Sequence, residues 1–161
     1  MINEEFDAFN STIELLLRIA PSVKNTTSCM EVLELFHFDN KAIVFPIVNE
    51  DEIPVGLITR SEITELFSRL YAKELRGKDP ISTIMNDSPV IVDRKSSIED
   101  VAKIVVDAGM HHMVSGFIIS DNKRYFGMSN GHDLLSEVTT RKQKHLFNLA
   151  HFDQLTGLPN R

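Results

Sequence analysis

The sequence has a single cysteine, no surplus of basic residues and no long apolar run, and each shortage excludes a class of protein. One thiol, Cys29, cannot close an intrachain disulfide, and it falls in an apolar helical pattern, which suits a buried thiol in a reducing compartment. Lys and Arg total 17 against 23 Asp and Glu, a net charge of −6 and the wrong sign for a surface that tracks nucleic-acid phosphates. Small anions can still be met by local basic residues. No apolar stretch approaches the roughly 18 residues that a membrane span needs. The first residues, Met1-Ile2-Asn3-Glu4-Glu5-Phe6-Asp7, are acidic where a secretory signal would be basic. These features predict a cytoplasmic protein with no nucleic-acid partner and no membrane contact of its own. Its 161 residues, 42% of them hydrophobic and 25% charged, suffice for one ordinary domain or two small ones sharing a core.

What the chain does have is an internal repeat. Segment 46–67 lies without gaps on segment 117–138, with Gly56 falling on Gly127, 71 residues on. Both copies run from an apolar strand (Ile47-Val48, Ile118-Ile119) through a polar turn into a second strand that ends on Gly-x-x-x and leads into an amphipathic helix. Upstream, 20–36 matches 88–104, with Pro21 falling on Pro89 at an offset of 68, so a three-residue length difference belongs to a loop. The segments 29–37 and 97–108 carry apolar residues at three and four spacing (Met30, Leu33, Phe36; Ile98, Val101, Ile104, Val105), which predicts helices with one buried stripe each. Each unit therefore reads strand, helix, strand, turn, strand, helix. A unit of about 60 residues buries too little surface alone, so two are expected to pack through their sheets.

This tandem β-α-β-β-α order resembles the CBS domain pair, or Bateman module. The resemblance covers about residues 18–140 and implies an α/β (α+β) fold of two repeats packed as a pseudo-twofold pair. The expected divisions are an N-terminal helix within 1–19, repeat one at 20–76, repeat two at 77–139, and a linker at 140–161. Residues 4–19 read as the leading helix. From Leu134 to His151 the pattern is helical without Gly or Pro, and Leu135, Val138, Lys142, His145, Leu149 and Phe152 recur at heptad spacing. That stretch reads either as a two-stranded coil or as the last repeat helix plus a solvated connector. The resemblance also implies a homodimer through the repeats.

CBS pairs commonly bind adenosine nucleotides in clefts between the repeats, using Gly-hydrophobic-x-Thr/Ser-x-x-Asp where the last strand of a repeat meets its last helix. In that motif a carboxylate accepts from the ribose hydroxyls, the hydroxyl side chain meets a ribose or phosphate oxygen, and the helix N-terminus offers N–H groups to anions. Repeat one supplies Gly56-Leu57-Ile58-Thr59-Arg60-Ser61-Glu62, in which Thr59 matches, Glu62 replaces Asp, and Arg60 could neutralise a phosphate. Phe45-Pro46-Ile47 matches the strand that lines the base. Repeat two supplies Gly127-Met128-Ser129-Asn130-Gly131-His132-Asp133, in which Asp133 matches, Asn130 replaces the hydroxyl residue, and Gly116-Phe117-Ile118 departs from the proline pattern. Repeat two is favoured, because ribose recognition depends most on the Asp and because Lys123 and Arg124 are close in sequence. The implied ligand is AMP, ADP, ATP or a related adenosine compound, with no covalent cofactor. The same residues also have a purely structural reading, since Thr59-x-x-Glu62 is a capping box and Asn130-x-x-Asp133 a near equivalent.

His111 and His112 invite a metal reading. On a strand adjacent side chains point to opposite faces, so no metal site is expected, only one packed and one exposed ring at a loop or strand start. No pattern of catalytic residues stands out. The last residues, Asp153-Gln154-Leu155-Thr156-Gly157-Leu158-Pro159-Asn160-Arg161, resemble the opening of GGDEF domains, which make cyclic di-GMP from GTP, while the loop that names that family is missing. The chain is thus expected to be a non-catalytic regulatory module ahead of a diguanylate cyclase domain. A ligand-free dimerisation scaffold, or the regulator of a degenerate cyclase or a cyclic di-GMP phosphodiesterase, are the alternatives.

Overall fold

The computed structural model describes residues 11–155. A 3-10 turn at Ile13–Leu16 opens it, followed by β1 (Val23–Lys24), α1 (Cys29–Phe38), β2 (Val44–Val48), β3 (Pro54–Thr59), α2 (Arg60–Phe67) and the short α3 (Ala72–Arg76). The order then recurs: a 3-10 turn at Ile81–Thr83, β4 (Ile91–Asp93), α4 (Ile98–Ala108), the added α5 (Met110–Ser115), β5 (Phe117–Asp121), β6 (Arg124–Ser129) and α6 (Gly131–Leu155). Each repeat forms a three-stranded sheet in which the first two strands pair parallel and the last two antiparallel. The duplication read from the sequence is thus a duplication of architecture.

The helices expected from apolar spacing form, and their ends have local causes. Ser28 and Ser97 cap α1 and α4 by accepting from the backbone N–H of Glu31 and Asp100. The α4 helix stops where Gly109 takes φ 124°, a value that side chains disfavour. Val32, Leu33 and Phe36 on α1, with Ile63 on α2, cover one face of the first sheet, while Val101 and Val105 on α4, with Leu134 on α6, cover the second. Leu57, Ile118 and Met128 fill a third cluster joining the two sheets, so strands β2 and β5 are buried on both faces and read as nearly continuous apolar runs.

Three expectations need correction. Over 11–19 the chain forms a 3-10 turn flanked by extended residues rather than a helix, because Ile13 is drawn into the second repeat's core and Arg18 pairs with Met128 as an added bit of strand. Residues 4–10 lie outside the described residues. The gapless match of the hairpins slips by one residue, since Ile47 pairs with Gly56 whereas Ile119, not Ile118, pairs with Gly127. The cause is the turn: β5 and β6 close on Asn122 and Lys123 with φ of 52° and 71°, both positive as a tight two-residue hairpin loop requires. Finally, His111 and His112 lie on a helix. Their rings sit 3.8 Å apart rather than on opposite faces, with His112 buried and His111 exposed.

Candidate functional site

The leading segment of each repeat docks on the other repeat, and this exchange builds two clefts. Arg18 exchanges both backbone hydrogen bonds with Met128 of β6, its N–H donating to the Met128 carbonyl at 2.7 Å and its carbonyl accepting at 3.0 Å. Asn86, 68 residues on, does the same with Leu57 of β3 at 2.9 and 3.0 Å. The motif glycines make room for these crossings. A Cβ on Gly127 would meet the Leu17 side chain and the Arg18 carbonyl oxygen, and one on Gly56 would meet Met85 and the Asn86 carbonyl oxygen.

The first cleft, of about 310 Å³, is lined by Arg18 to Pro21 from the N-terminal crossing, Ala42 to Phe45 leading into β2, Val114 and Ser115, and Met128 to Asn130 at the end of β6. That volume lies in the range of small-molecule sites. The second is wider, about 1190 Å³, and is lined by Thr59, Arg60, Ser61 and Glu62 with Glu65, Asn86, His111, Val114 and Ser115. Phe45, matched in sequence to repeat one, therefore serves the cleft of repeat two's motif, its ring 4.4 Å from Phe36. Pro46 is buried in β2 one position further along.

Within these clefts the motif carboxylates already have partners. Glu62 accepts from the Thr59 N–H at 3.2 Å and from its hydroxyl at 2.7 Å, completing a capping box on α2. Arg60 is likewise committed: it donates to the carbonyls of Ala42 at 2.8 Å and Asp39 at 2.5 Å, and lies over the Phe36 ring. In repeat two Asn130 caps α6 by accepting from the Asp133 N–H at 2.8 Å. Asp133 faces Arg18, whose Nε and Nη2 donate to its two carboxylate oxygens at 2.6 and 2.9 Å. The adjacent Ser129 is 3% exposed and its hydroxyl has no hydrogen-bond partner among the described residues.

Arg124 lines neither cleft. It opens β6 whereas Asn130 follows its end, and an extended chain advances about 3.3 Å per residue, so Lys123 and Arg124 stand at the far end of the sheet. Proximity in sequence misleads there because the intervening residues are fully extended. Arg18 is the residue that sequence reasoning missed. Its signal was available, since it stands three residues before Pro21 as Asn86 stands three before Pro89.

Nearby burial perturbs two groups. Tyr125, whose hydroxyl donates to the Ala20 carbonyl at 2.6 Å beside the first cleft, has its pKa pushed up to about 12 by desolvation. Desolvation, and secondarily the neighbouring His111, push the His112 imidazole down. Among the described residues no helix is long and apolar enough to cross a membrane.

No curated protein matches the sequence. Several solved structures share the fold. CBSX2 from Arabidopsis thaliana superposes with TM-score 0.63 at 16% identity, covering 82% of this chain and 96% of that one. CBSX2 in complex with AMP gives 0.62 at 18%, covering 81% and 98%. The CBS domain pair of protein MJ0100, in complex with 5′-methylthioadenosine and S-adenosyl-L-methionine, gives 0.59 at 22%, covering 82% and 98%. The CBS domain model matches residues 14–69 and again 81–139. With two copies of the repeat, two exchanged leading segments and two clefts at the strand–helix junctions, this chain belongs to the CBS domain family as a tandem pair.

Proposed function

We propose that this CBS pair senses an adenosine nucleotide in the cleft closed by Asn130 and Asp133, and passes its occupancy along α6 to a GGDEF domain that makes cyclic di-GMP. The observation that carries the reading is the position of Asp133. It sits in the first turn of α6, beside a 310 Å³ cleft lined by an apolar wall of Ile43 to Phe45 and by a buried Ser129 hydroxyl without a partner among the described residues. Two structures of like fold hold adenosine compounds, AMP in one and methylthioadenosine with S-adenosylmethionine in the other. Here the base would lie against Val44 and Phe45, and the ribose diol would take the Asp133 carboxylate.

The output route follows from the same helix. α6 runs unbroken from Gly131 to Leu155, roughly 37 Å at 1.5 Å per residue, so the proposed ligand site and the exit of the chain share one rigid rod. The GGDEF-like string begins at Asp153 on that helix, and residues 156–161 lie outside the described residues. Two cyclase domains must face each other to join two GTP molecules, so a cytoplasmic homodimer formed through the repeats would bring them together, and a tilt of α6 would change how they meet. A tenfold bias between two such states needs only about 1.4 kcal/mol of differential binding.

A thermal-shift screen against AMP, ADP, ATP, S-adenosylmethionine, GTP and cyclic di-GMP tests the sensing step. Saturation at a hundred times the Kd adds about 2.7 kcal/mol of stability, a shift of several degrees. The shift should appear with an adenosine compound and vanish in Asp133→Ala. Cyclase turnover in a chain carrying the whole GGDEF domain, with and without that compound, tests the output. The competing reading, a ligand-free dimerisation scaffold, draws on the capping box at Thr59 and Glu62 and on the Arg18 pairing of Asp133, and it predicts no shift with any compound.

A further inference from the structure

Arg18 grips Asp133 through both carboxylate oxygens, with Nε on Oδ2 and Nη2 on Oδ1. A ribose diol bound as proposed above needs those same two oxygens, so ligand and guanidinium compete for one carboxylate. The competition does not drive Arg18 away. Its backbone is paired on both sides to Met128, and Gly127 is bare beneath it, so the displaced side chain stays at the cleft wall. That side chain is 65% exposed.

We infer that Arg18 selects for phosphate, so that this cleft takes adenosine ligands carrying a 5′-phosphate in preference to neutral or cationic ones. The inference rests on the nucleotide reading above. A guanidinium that gives up a bidentate carboxylate is best repaid by a bidentate phosphate, which matches the same planar fork. A nucleotide supplies both halves of this exchange, a diol for Asp133 and a phosphate for Arg18. Adenosine and 5′-methylthioadenosine supply only the diol, and S-adenosylmethionine, whose carboxylate sits at the far end of its amino-acid chain, places a sulfonium charge at the 5′ position where a nucleotide carries its phosphate.

The charged residues of the two clefts point the same way. The first is lined by Arg18 and Lys41 against Asp39, with Asp133 held by Arg18 beside it. The second has Glu62 and Glu65 against Arg60, whose guanidinium is spent on two backbone carbonyls. Phosphate selection therefore belongs to the first cleft alone.

Calorimetric titration of the chain with AMP and with adenosine, for the natural protein, Arg18→Ala, Arg18→Lys and Asp133→Asn, tests this. The natural protein should bind AMP at least tenfold tighter than adenosine. In Arg18→Ala that preference should collapse from both sides, AMP weakening at least tenfold while adenosine holds or tightens, its competitor for Asp133 gone. Arg18→Lys should fall between, and Asp133→Asn should weaken both ligands. With its Arg18 side exposed, the ion pair should contribute little to folding, and circular dichroism melting of each variant checks this. Equal affinity for AMP and adenosine in the natural protein, or equal weakening of both in Arg18→Ala, overturns phosphate selection and leaves nucleotide sensing standing. Failure of both compounds to bind the natural protein and Arg18→Ala overturns the two readings together.

Discussion

Ile13 and Ile81 stand in each other's domain: Ile13 leads into repeat one and is fully buried in the core of repeat two, while Ile81 belongs to the leading segment of repeat two and is fully buried in the core of repeat one. Backbone bonds seal both, the Ile13 N–H donating to the Ser96 carbonyl at 2.8 Å and the Ile81 N–H to the Thr27 carbonyl at 2.7 Å. Neither repeat has a complete core without a segment that chain order assigns elsewhere. Ile13→Ala and Ile81→Ala should therefore each cost about 2–5 kcal/mol. Urea unfolding should remain one cooperative transition in both variants. Separate transitions for the two repeats would contradict the exchange.

The motif glycines are predicted to matter for stability before they matter for any ligand. On Gly56 a Cβ would lie 2.7 Å from the Asn86 carbonyl oxygen and 2.5 Å from the Met85 sulfur, the former a backbone atom that cannot rotate away. Gly56→Ala should destabilise by about 1–3 kcal/mol. Denaturant midpoints measure it, and a midpoint unchanged from the natural protein would show that the Asn86 crossing yields.

Lys123 occupies a turn position with φ 71°, where a side chain is strained and glycine is not. Asn122 before it tolerates this region, so Lys123→Gly creates the favoured Asn-Gly hairpin. The variant should gain roughly 0.5–1 kcal/mol in thermal denaturation. Its affinity for any cleft ligand should not change, because the turn stands at the end of the sheet away from Asn130.

Burial shifts three groups, Cys29, His112 and Tyr125, and each contributes to the pH dependence of stability. Burial holds the His112 imidazole below its ordinary 6.5, so the unfolded chain takes up a proton that the folded one refuses. The contribution is complete above pH 6.5 and declines as pH falls from there toward the folded value. Tyr125 acts at the alkaline end. Its pKa is raised from 10 to about 12, so the unfolded phenol ionises first and stability is lost as pH rises from 10 to 12. His112→Phe should make the acid limb of a stability–pH curve shallower, and Tyr125→Phe the alkaline limb, to which the raised Cys29 thiol also contributes, each leaving the other limb unchanged.

At repeat one the capping function is separable from ligand binding. Thr59→Ala removes the hydroxyl that accepts from the Glu62 N–H and should cost about 1 kcal/mol. Its effect on nucleotide affinity should be nil if the working cleft is the one closed by Asp133. A loss of AMP binding in Thr59→Ala as large as in Asp133→Ala would place the ligand in the wider cleft instead.

The duplicated strand–helix order, most of the buried stripes of α1 and α4 and the capping box at Thr59 and Glu62 could be read in the residues, because they follow from spacing along a local period, although Ile104, expected in the α4 stripe, is 46% exposed. Gly56 and Gly127 marked the strand–helix junctions for the same reason. The one-residue slip between the hairpins was not visible, since it depends on which turn geometry Asn122 and Lys123 adopt. The helical setting of His111 and His112 was missed because six residues between two glycines carry too short a pattern to separate helix from strand. Above all, Phe45 was matched to one motif and serves the other, Arg124 was matched by nearness and lies a strand's length away, and Arg18 was passed over. Sequence alone thus determined the elements and their repetition, which are set by neighbours along the chain. Only the tertiary structure decided which halves share a cleft and what holds Asp133, because those contacts join residues up to 115 positions apart through an exchange of segments that leaves no local periodicity.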